Sequence, residues 1–457
     1  MLNTGLILSF FTGFILLNSI SYRFSLMEKL GLSFLLGIAS QTFLMVVLDA
    51  VNIPLTVTNI FIATAVLILA LSVRLWLKRQ EIVAEYSQIG QKITATACRL
   101  NLVWLVFVAL IAYFEYMNYA KCMFFPTFDR DSLAAFDTIG KMIAHEHTLH
   151  GLAFVPEGRT DGAGYLAYMP MIQFAYAYVY MLGAEMSKII PALVYLSFLV
   201  SFYAVIVRFS GHTAAAIATF FMMITPEMIA FSSLSATNVI HAVYASLGMI
   251  YTVLWLKNRE KSTGVLAMLL TAFGLYVRNE SVVFVGAAIL LLAFYYWKRD
   301  LKSLILYAVV ALLPIVFWTI YINVYQMQSG SMFIMHPFWD ASKAEVIWTY
   351  FKMLVSSKQY YGLSFIVFAV VFILNIYAII KRKDKAEMPI LIVLSALFYM
   401  ILLYQIDYRW DTIENVLSYS AKRFMFCFIP LLWMYSLTNY YSTLLFGKLD
   451  KVLSWKI

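Results

Sequence analysis

The stretch PLTVTNIFIATAVLILALSVRLWL, residues 54–77, is apolar over enough residues to cross a membrane as a single helix. Basic residues lie at its end and after it: Arg74, Lys78, Arg79, Lys92 and Arg99. Lysine and arginine concentrate on the cytoplasmic side of membrane proteins. The stretch therefore predicts a membrane helix whose last residues face the cytoplasm.

The composition extends this interpretation to the whole chain. Hydrophobic residues make up 63% of the 457 residues and charged residues only 12%, a balance typical of a protein with many membrane spans. The net charge of +9 does not indicate a nucleic-acid partner, because the basic residues lie at the edges of the apolar runs. The sequence has no glycine-rich phosphate loop, which argues against an ATP-driven pump, and no internal repeat of the kind found in transporters.

The apolar runs predict an all-α polytopic membrane protein of about 13 transmembrane helices with additional extracytoplasmic interfacial helices. One further run, 165–182, is interpreted as a helix at the membrane surface. Counting it as a span would place the later basic loops outside the cell. The predicted spans are 5–22, 30–48, 54–77, 102–119, 188–207, 213–231, 236–256, 264–277, 281–297, 304–325, 362–380, 389–404 and 424–445.

Three regions follow from this topology. Residues 1–100 form N-terminal membrane helices, 101–300 form a catalytic membrane core with a first outer loop at 120–186, and 301–457 form C-terminal helices with outer loops at 326–361 and 405–422. Long irregular segments are where functional residues gather. The chemistry is therefore expected on the extracytoplasmic face.

The first outer loop contains FDRDSLAAFDTIGKMIAHEHTL, residues 128–149, in which carboxylates, basic residues and histidines crowd together. Apolar residues recur after Asp131 at helical intervals, so Asp131 is expected at the start of a helix. Two interpretations remain open at this point. Asp131 either caps the free N–H groups of the helix or serves as a catalytic carboxylate, with Asp129 as the near alternative.

Basic residues at the outer ends of other spans are candidate phosphate ligands. Arg278 and Glu280 interrupt an apolar stretch, where they form either a turn held by an ion pair or part of a phosphate-binding site. Arg409, Lys422 and Arg423 in the last outer loop are either phosphate ligands or side chains that snorkel to the interface. His336 and nearby aromatic residues are candidates for lining a sugar or lipid groove.

The motif HEHTLH, with His145, Glu146, His147 and His150, leaves a divalent metal as an alternative. It lacks the spacing of known zinc motifs, and a solvated helix end is the preferred interpretation, so no metal site and no cofactor are predicted. The three cysteines are scattered and predict neither a disulfide framework nor a thiolate metal site.

Four motifs in this order resemble the GT-C glycosyltransferases, which include protein O-mannosyltransferases and the aminoarabinose transferases of lipid A. They are DSLAAFDTIGKMIAHEHTL (131–149), a tyrosine-rich segment with YMP (168–170), TPEMIAFSSLSATNVIHAVYASLGMIY (225–251) and RNES (278–281). The resemblance covers residues 125–297, in pattern and order.

The resemblance implies roles for particular residues. Asp131 is similar to the first-loop catalytic carboxylate of the family, Lys141 to a basic residue of its first interfacial helix, and Tyr168 with Pro170 to its YPP element. Asn238 stands where many members have an acidic residue, a departure that puts a two-carboxylate or metal-dependent mechanism in doubt. Glu227 is the nearby substitute.

The implied activity is inverting transfer of a sugar from a polyprenyl-phosphate donor to a lipid, glycan or protein acceptor. The expected location is the plasma membrane of a bacterium, with the active site outside and no nucleic acid as a partner. A polyprenyl-linked glycan polymerase or ligase, or a transporter or lipid flippase, are the alternatives.

Overall fold

A computed structural model of the chain describes residues 1–21, 24–80, 82–83, 99–154, 168–327, 333–335, 338–408 and 412–456. Its N-terminal half contains helices α1 (Leu2–Ile20), α2 (Leu26–Ala50), α3 (Val57–Leu77), α4 (Leu102–Phe124), α5 (Asp137–Glu146), α6 (Met171–Met181), α7 (Ile189–Met223), α8 (Pro226–Phe231) and α9 (Asn238–Asn258).

The C-terminal half contains α10 (Lys261–Val277), α11 (Val282–Tyr296), α12 (Leu301–Val324), α13 (Ala341–Ser356), α14 (Lys358–Tyr361), α15 (Ser364–Ile380), α16 (Glu387–Gln405), α17 (Ile413–Val416), α18 (Lys422–Phe424), α19 (Ile429–Thr438) and α20 (Tyr440–Leu453). Two antiparallel pairs of three-residue strands complete the fold. They pair β1 (Arg99–Asn101) with β4 (Ser454–Lys456) and β2 (Phe333–Met335) with β3 (Ile406–Tyr408).

Nine helices within the described ranges are long and apolar enough to cross a membrane, and the protein is an all-α integral membrane protein. They are α1, α2, α3, α4, α7, α9, α12, α16 and α11, the last of these counted from Asn279. Two shorter apolar helices, α10 and α15, add to this set.

Helix α9 lies at the centre of the bundle. Every residue of its most apolar stretch is buried, whereas α3 and α4 bury only 11% of theirs. Helix α9 packs against α10, α7 and α11. The peripheral helices therefore present apolar faces suited to lipid, and the N-terminal end of α9 is placed where several elements meet.

Three of the predicted spans differ from the observed elements. The runs 188–207 and 213–231 are joined in α7, which bends at Gly211, where φ is 80°, and the second run continues beyond α7 into α8. The run 424–445 is divided into α18, α19 and α20 with short turns between them. Apolar composition reveals neither where two runs join nor where one run breaks.

Helix α6, from the run 165–182, has 11 residues and is too short to cross a membrane. Nine of its residues are buried, and it packs against α5 and α2. This run was expected to lie at the membrane surface, but α5 covers the helix, so α6 is buried within the protein. Gly140 permits this contact, since a Cβ at this position would approach the side chain of Tyr176 to 2.7 Å.

Helices α1 and α2 approach each other closely at two glycines. A Cβ added at Gly13 would overlap the carbonyl oxygen of Ser33, and a Cβ added at Gly37 would overlap that of Ser9. Small residues let helix backbones pack closely in membranes. The side chains of Ser9 and Gln41 also hydrogen bond across this interface.

We expect the substitution Gly37→Ala to destabilise the protein by about 1–3 kcal/mol, because the methyl group forces two backbones apart. The thermal unfolding midpoint in detergent measures the effect. Gly447→Ala on α20 is the matched control, since no atom lies within 4 Å of the added Cβ. Equal midpoints for the two variants would contradict the proposed packing.

Candidate functional site in the outer cavity

Asp131 lies at the start of a π-helical turn, Ser132–Phe136, which leads into α5. Its side chain does not cap the helix, so that interpretation was wrong. Asp129 takes the capping role, because its carboxylate accepts hydrogen bonds from the backbone N–H of Ser132 at 3.3 Å and from the Ser132 hydroxyl at 3.4 Å. Asp131 is thereby left to make tertiary contacts.

The carboxylate of Asp131 pairs with Arg423. The Nη1 atom of Arg423 donates to Oδ2 of Asp131 at 2.6 Å. The two residues are 292 positions apart in the sequence. This ion pair joins the segment before α5 to the segment that precedes the last apolar run.

A polar cavity of about 110 Å³ surrounds this pair. It is lined by Asp131 and Arg423 together with Tyr168, Asn238, Arg278 and Tyr419. Its wall thus combines one carboxylate with two guanidinium groups. Such a wall is suited to an anionic ligand, because guanidinium groups donate several hydrogen bonds in a fixed fork.

Arg278 is held in the cavity wall by neighbours on two elements. Its Nη1 atom donates to Oδ1 of Asn238 at 2.6 Å, and its Nη2 and Nε atoms lie 2.5 and 3.2 Å from the carboxylate oxygens of Glu280. Burial disfavours the charged form, but the Glu280 carboxylate offsets this effect and raises the pKa of Arg278. The arginine is therefore a fixed positive charge. Arg278 therefore belongs to a turn held by an ion pair with Glu280, and it also lines the polar cavity.

A second ion pair lies beside the cavity without lining it. The Nζ atom of Lys422 donates to Oε1 of Glu227 at 3.0 Å and lies over the ring of Tyr360. Glu227 comes from α8 and Lys422 from α18. This pair braces the segment whose next residue, Arg423, enters the cavity.

Other predicted site residues lie elsewhere. Lys141 is on α5 and pairs with Asp137 at 3.0 Å, outside the cavity lining. Glu280 pairs with Arg278 but does not line the cavity, and Pro170 immediately precedes α6. His336 and Arg409 lie outside the described residues.

The histidines of HEHTLH have separate partners. His145 pairs with Glu146, His147 lies 3.0 Å from the carbonyl oxygen of Leu55, and His150 lies 3.2 Å from the Asp49 carboxylate. In the part of the chain that the structure describes, no three His, Cys, Asp or Glu side chains gather as a metal site would require. Instead, His147 and His150 hold the residues after α5 against the end of α2 and the turn that follows it.

Asp137 is an anchor that the sequence reasoning missed. Its side chain is buried and accepts hydrogen bonds from the hydroxyl groups of Tyr180, at 2.5 Å, and of Ser187, in addition to its pair with Lys141. A sequence signal for it existed, since Asp137 and Lys141 are four residues apart on one helix.

The cavity is bordered by both π-helical turns that occur among the described residues. Phe136 belongs to Ser132–Phe136, and Tyr419 with Ser420 belongs to Leu417–Ala421. π-Helical turns are rare and occur frequently at functional sites. The sequence offered no signal for Tyr419 or Ser420, because such a turn depends on tertiary contacts.

No protein-family model, no curated protein and no solved structure matches the chain. The fold and the site define a class, an all-α integral membrane protein with a polar cavity walled by one carboxylate and two arginines. A function must be argued from the chemistry of that cavity.

We expect Asp137→Ala to destabilise the protein by about 3 kcal/mol, because it removes the acceptor of the Tyr180 hydroxyl and leaves the Ser187 hydroxyl with Ser235 alone. Thermal unfolding in detergent measures this change. The control Glu146→Ala, at the exposed end of the same helix, is expected to alter stability by less than about 0.5 kcal/mol. If both variants unfold at the wild-type temperature, Asp137 does not anchor the segment.

Proposed function

We propose that the protein is a GT-C-type membrane glycosyltransferase that transfers a sugar, with inversion, from a polyprenyl-phosphate donor to a lipid, glycan or protein acceptor. The observation that carries the proposal is the cavity in which Asp131 lies beside Arg423 and Arg278. A transfer of this kind needs a base for the acceptor hydroxyl and cations for the departing phosphate. The cavity contains both.

The proposed reaction assigns a step to each group. Asp131 takes the proton of the acceptor hydroxyl as its oxygen bonds to the anomeric carbon of the sugar. The bond between that carbon and the phosphate oxygen breaks, and its electron pair leaves with the polyprenyl phosphate. Arg278 and Arg423 stabilise the charge on the phosphate, since preorganised donors are most effective where charge develops.

The ion pair between Arg423 and Asp131 implies that the donor binds before Asp131 acts as a base. The donor phosphate competes with the Asp131 carboxylate for Arg423, so donor binding frees the carboxylate to act as a base. The Asp131 and Arg423 side chains are 33% and 19% exposed, which leaves the pair open to an incoming anion.

The proposal includes a topology of thirteen spans with the cavity on the outer face of a bacterial plasma membrane. Nine helices have spanning length and two shorter apolar helices raise the number to eleven. Division of α7 at Gly211 and the broken apolar run of α18 to α20 supply the remaining two. The basic residues after α3 favour this orientation.

Asp131→Asn is expected to lower turnover at least about a hundredfold, because it removes the base. The measurement is release of polyprenyl phosphate by the purified protein, tested with a panel of polyprenyl-phosphate sugars and simple hydroxyl acceptors. Asp129→Asn is the control and is expected to stay within threefold of wild type, about 0.6 kcal/mol in barrier height, since Asp129 caps a turn.

Wild-type turnover in Asp131→Asn would remove Asp131 from the reaction. If Arg423 variants lost turnover while Asp131→Asn kept it, a glycan polymerase or ligase that depends on a late outer arginine would be favoured. Transport of the lipid across vesicles without any transfer would favour a flippase.

A further inference from the structure

Helix α4 carries a carboxyl group in its apolar interior. Glu115 lies nine residues before Phe124, about 14 Å below the outer end of the helix at 1.5 Å per residue. The helix is mostly exposed to its surroundings, yet Glu115 is only 7% exposed. Its side chain is therefore directed into the protein at membrane depth.

The surroundings of Glu115 are polar but contribute no cation. Asn118 and Cys122 lie on the same face of α4 and are buried. Tyr195 of α7, the helix that packs against this face, lies close enough to interact electrostatically with Glu115. Among the described residues, Tyr195 and Cys122 are the titratable groups that face Glu115, and both are neutral in their ordinary form.

The hydrogen bonds give Glu115 little support. Its Oε2 atom has no partner in the described chain, and neither has the amide nitrogen of Asn118. The Oε2 atom of Glu387 shares this lack, but its Oε1 atom lies 3.8 Å from the Nζ atom of Lys385. Asn118 is nevertheless held in place, because its Oδ1 atom accepts the hydroxyl of Ser232 at 2.8 Å. The side chains are thus positioned while the carboxyl group remains without a compensating charge.

Four other carboxyl groups in the described chain are buried, and each has a cation or several donors. Glu28 pairs with Arg208 at 2.7 Å, Asp137 with Lys141, and Glu387 with Lys385, whereas Asp49 accepts from the backbone N–H of Leu149, the hydroxyl of Thr148 at 2.8 Å and that of Tyr321. A carboxylate that is buried without such partners costs several kcal/mol to ionise. Glu115 differs from the other four in this respect.

We propose that Glu115 is a proton-binding site inside the membrane and that it holds its proton in the folded protein at neutral pH. The ligand is H⁺, and the neutral carboxylic acid is the form that the surroundings favour. This inference does not depend on the proposed sugar transfer.

A short irregular segment connects this site to the outer cavity. Ser232, which bonds Asn118, begins the segment that also contains Ser235 and Thr237, all of them buried. Ser235 lies 2.9 Å from the hydroxyl of Ser187, and Thr237 accepts a hydrogen bond from Arg278 at 3.4 Å. Non-helical backbone at membrane depth occurs where it is buried in protein or lines a cavity. This segment therefore runs from a hydrogen-bond partner of Asn118 to a residue that lines the cavity.

Infrared spectroscopy of the full-length protein in lipid tests the proposal. We expect a carbonyl stretching band of a protonated carboxylic acid at neutral pH in the wild type. Glu115→Gln should lose this band, and Glu115→Asp, which keeps an acid, should shift it. Identical spectra for wild type and Glu115→Gln would overturn the proposal.

Modification by a hydrophobic carbodiimide, which reacts with protonated carboxyl groups, provides a second measurement by peptide mass spectrometry. We expect labelling at Glu115 that slows as the pH rises, with Glu28 and Asp137 unlabelled as paired controls. Glu115→Gln is expected to unfold within about 2 °C of the wild type, because an amide is isosteric with the neutral acid. Labelling of Glu28 and Asp137 but not of Glu115 would contradict the assignment.

Discussion

The ion pair between Asp131 and Arg423 joins the segment before α5 to the segment before α19, and the polar cavity lies where these two segments meet. The first segment is held by buried acceptors, Asp137 toward α6 and Asp49 at the end of α2, so Asp131 is carried by a fixed element. The second segment is braced by the pair between Lys422 and Glu227. The pair of Asp131 and Arg423 is partly buried and holds opposite charges around a polar space.

The bundle follows a rule that low-dielectric surroundings impose on polar groups. Buried carboxylates either receive a cation or several donors, as Glu28, Asp49 and Asp137 do, or must remain neutral, as we propose for Glu115. The same rule accounts for Arg278, whose charge is balanced by Glu280 inside an otherwise apolar stretch. Charged residues within apolar stretches are thus paired with a group of opposite charge or with several hydrogen-bond donors.

Much of this architecture could be predicted from the sequence, because apolar runs of spanning length have few alternatives to helices in a membrane. The identities of Asp131, Tyr168, Asn238, Arg278 and Arg423 as candidates also came from the sequence, and the structure places these residues together around the cavity. Capping was one of two roles left open for Asp131, and the structure gives it to Asp129, since the two residues are only two positions apart and local pattern does not fix where a helix begins. The contributions of Tyr419 and Asp137 required tertiary contacts. Lys141, a candidate from the sequence, pairs with Asp137 on its own helix and does not line the cavity.

The most direct test of the account is the affinity of the protein for polyprenyl monophosphate, measured on variants of two neighbouring residues of α18. Arg423 lines the cavity, whereas Lys422 next to it pairs with Glu227 and does not. The account predicts that Arg423→Gln weakens binding at least about tenfold, equivalent to 1.4 kcal/mol, and that Lys422→Gln stays within about threefold of wild type. Wild-type affinity in Arg423→Gln, or equal losses in both variants, would contradict the claim that the polar cavity binds the phosphate of the lipid.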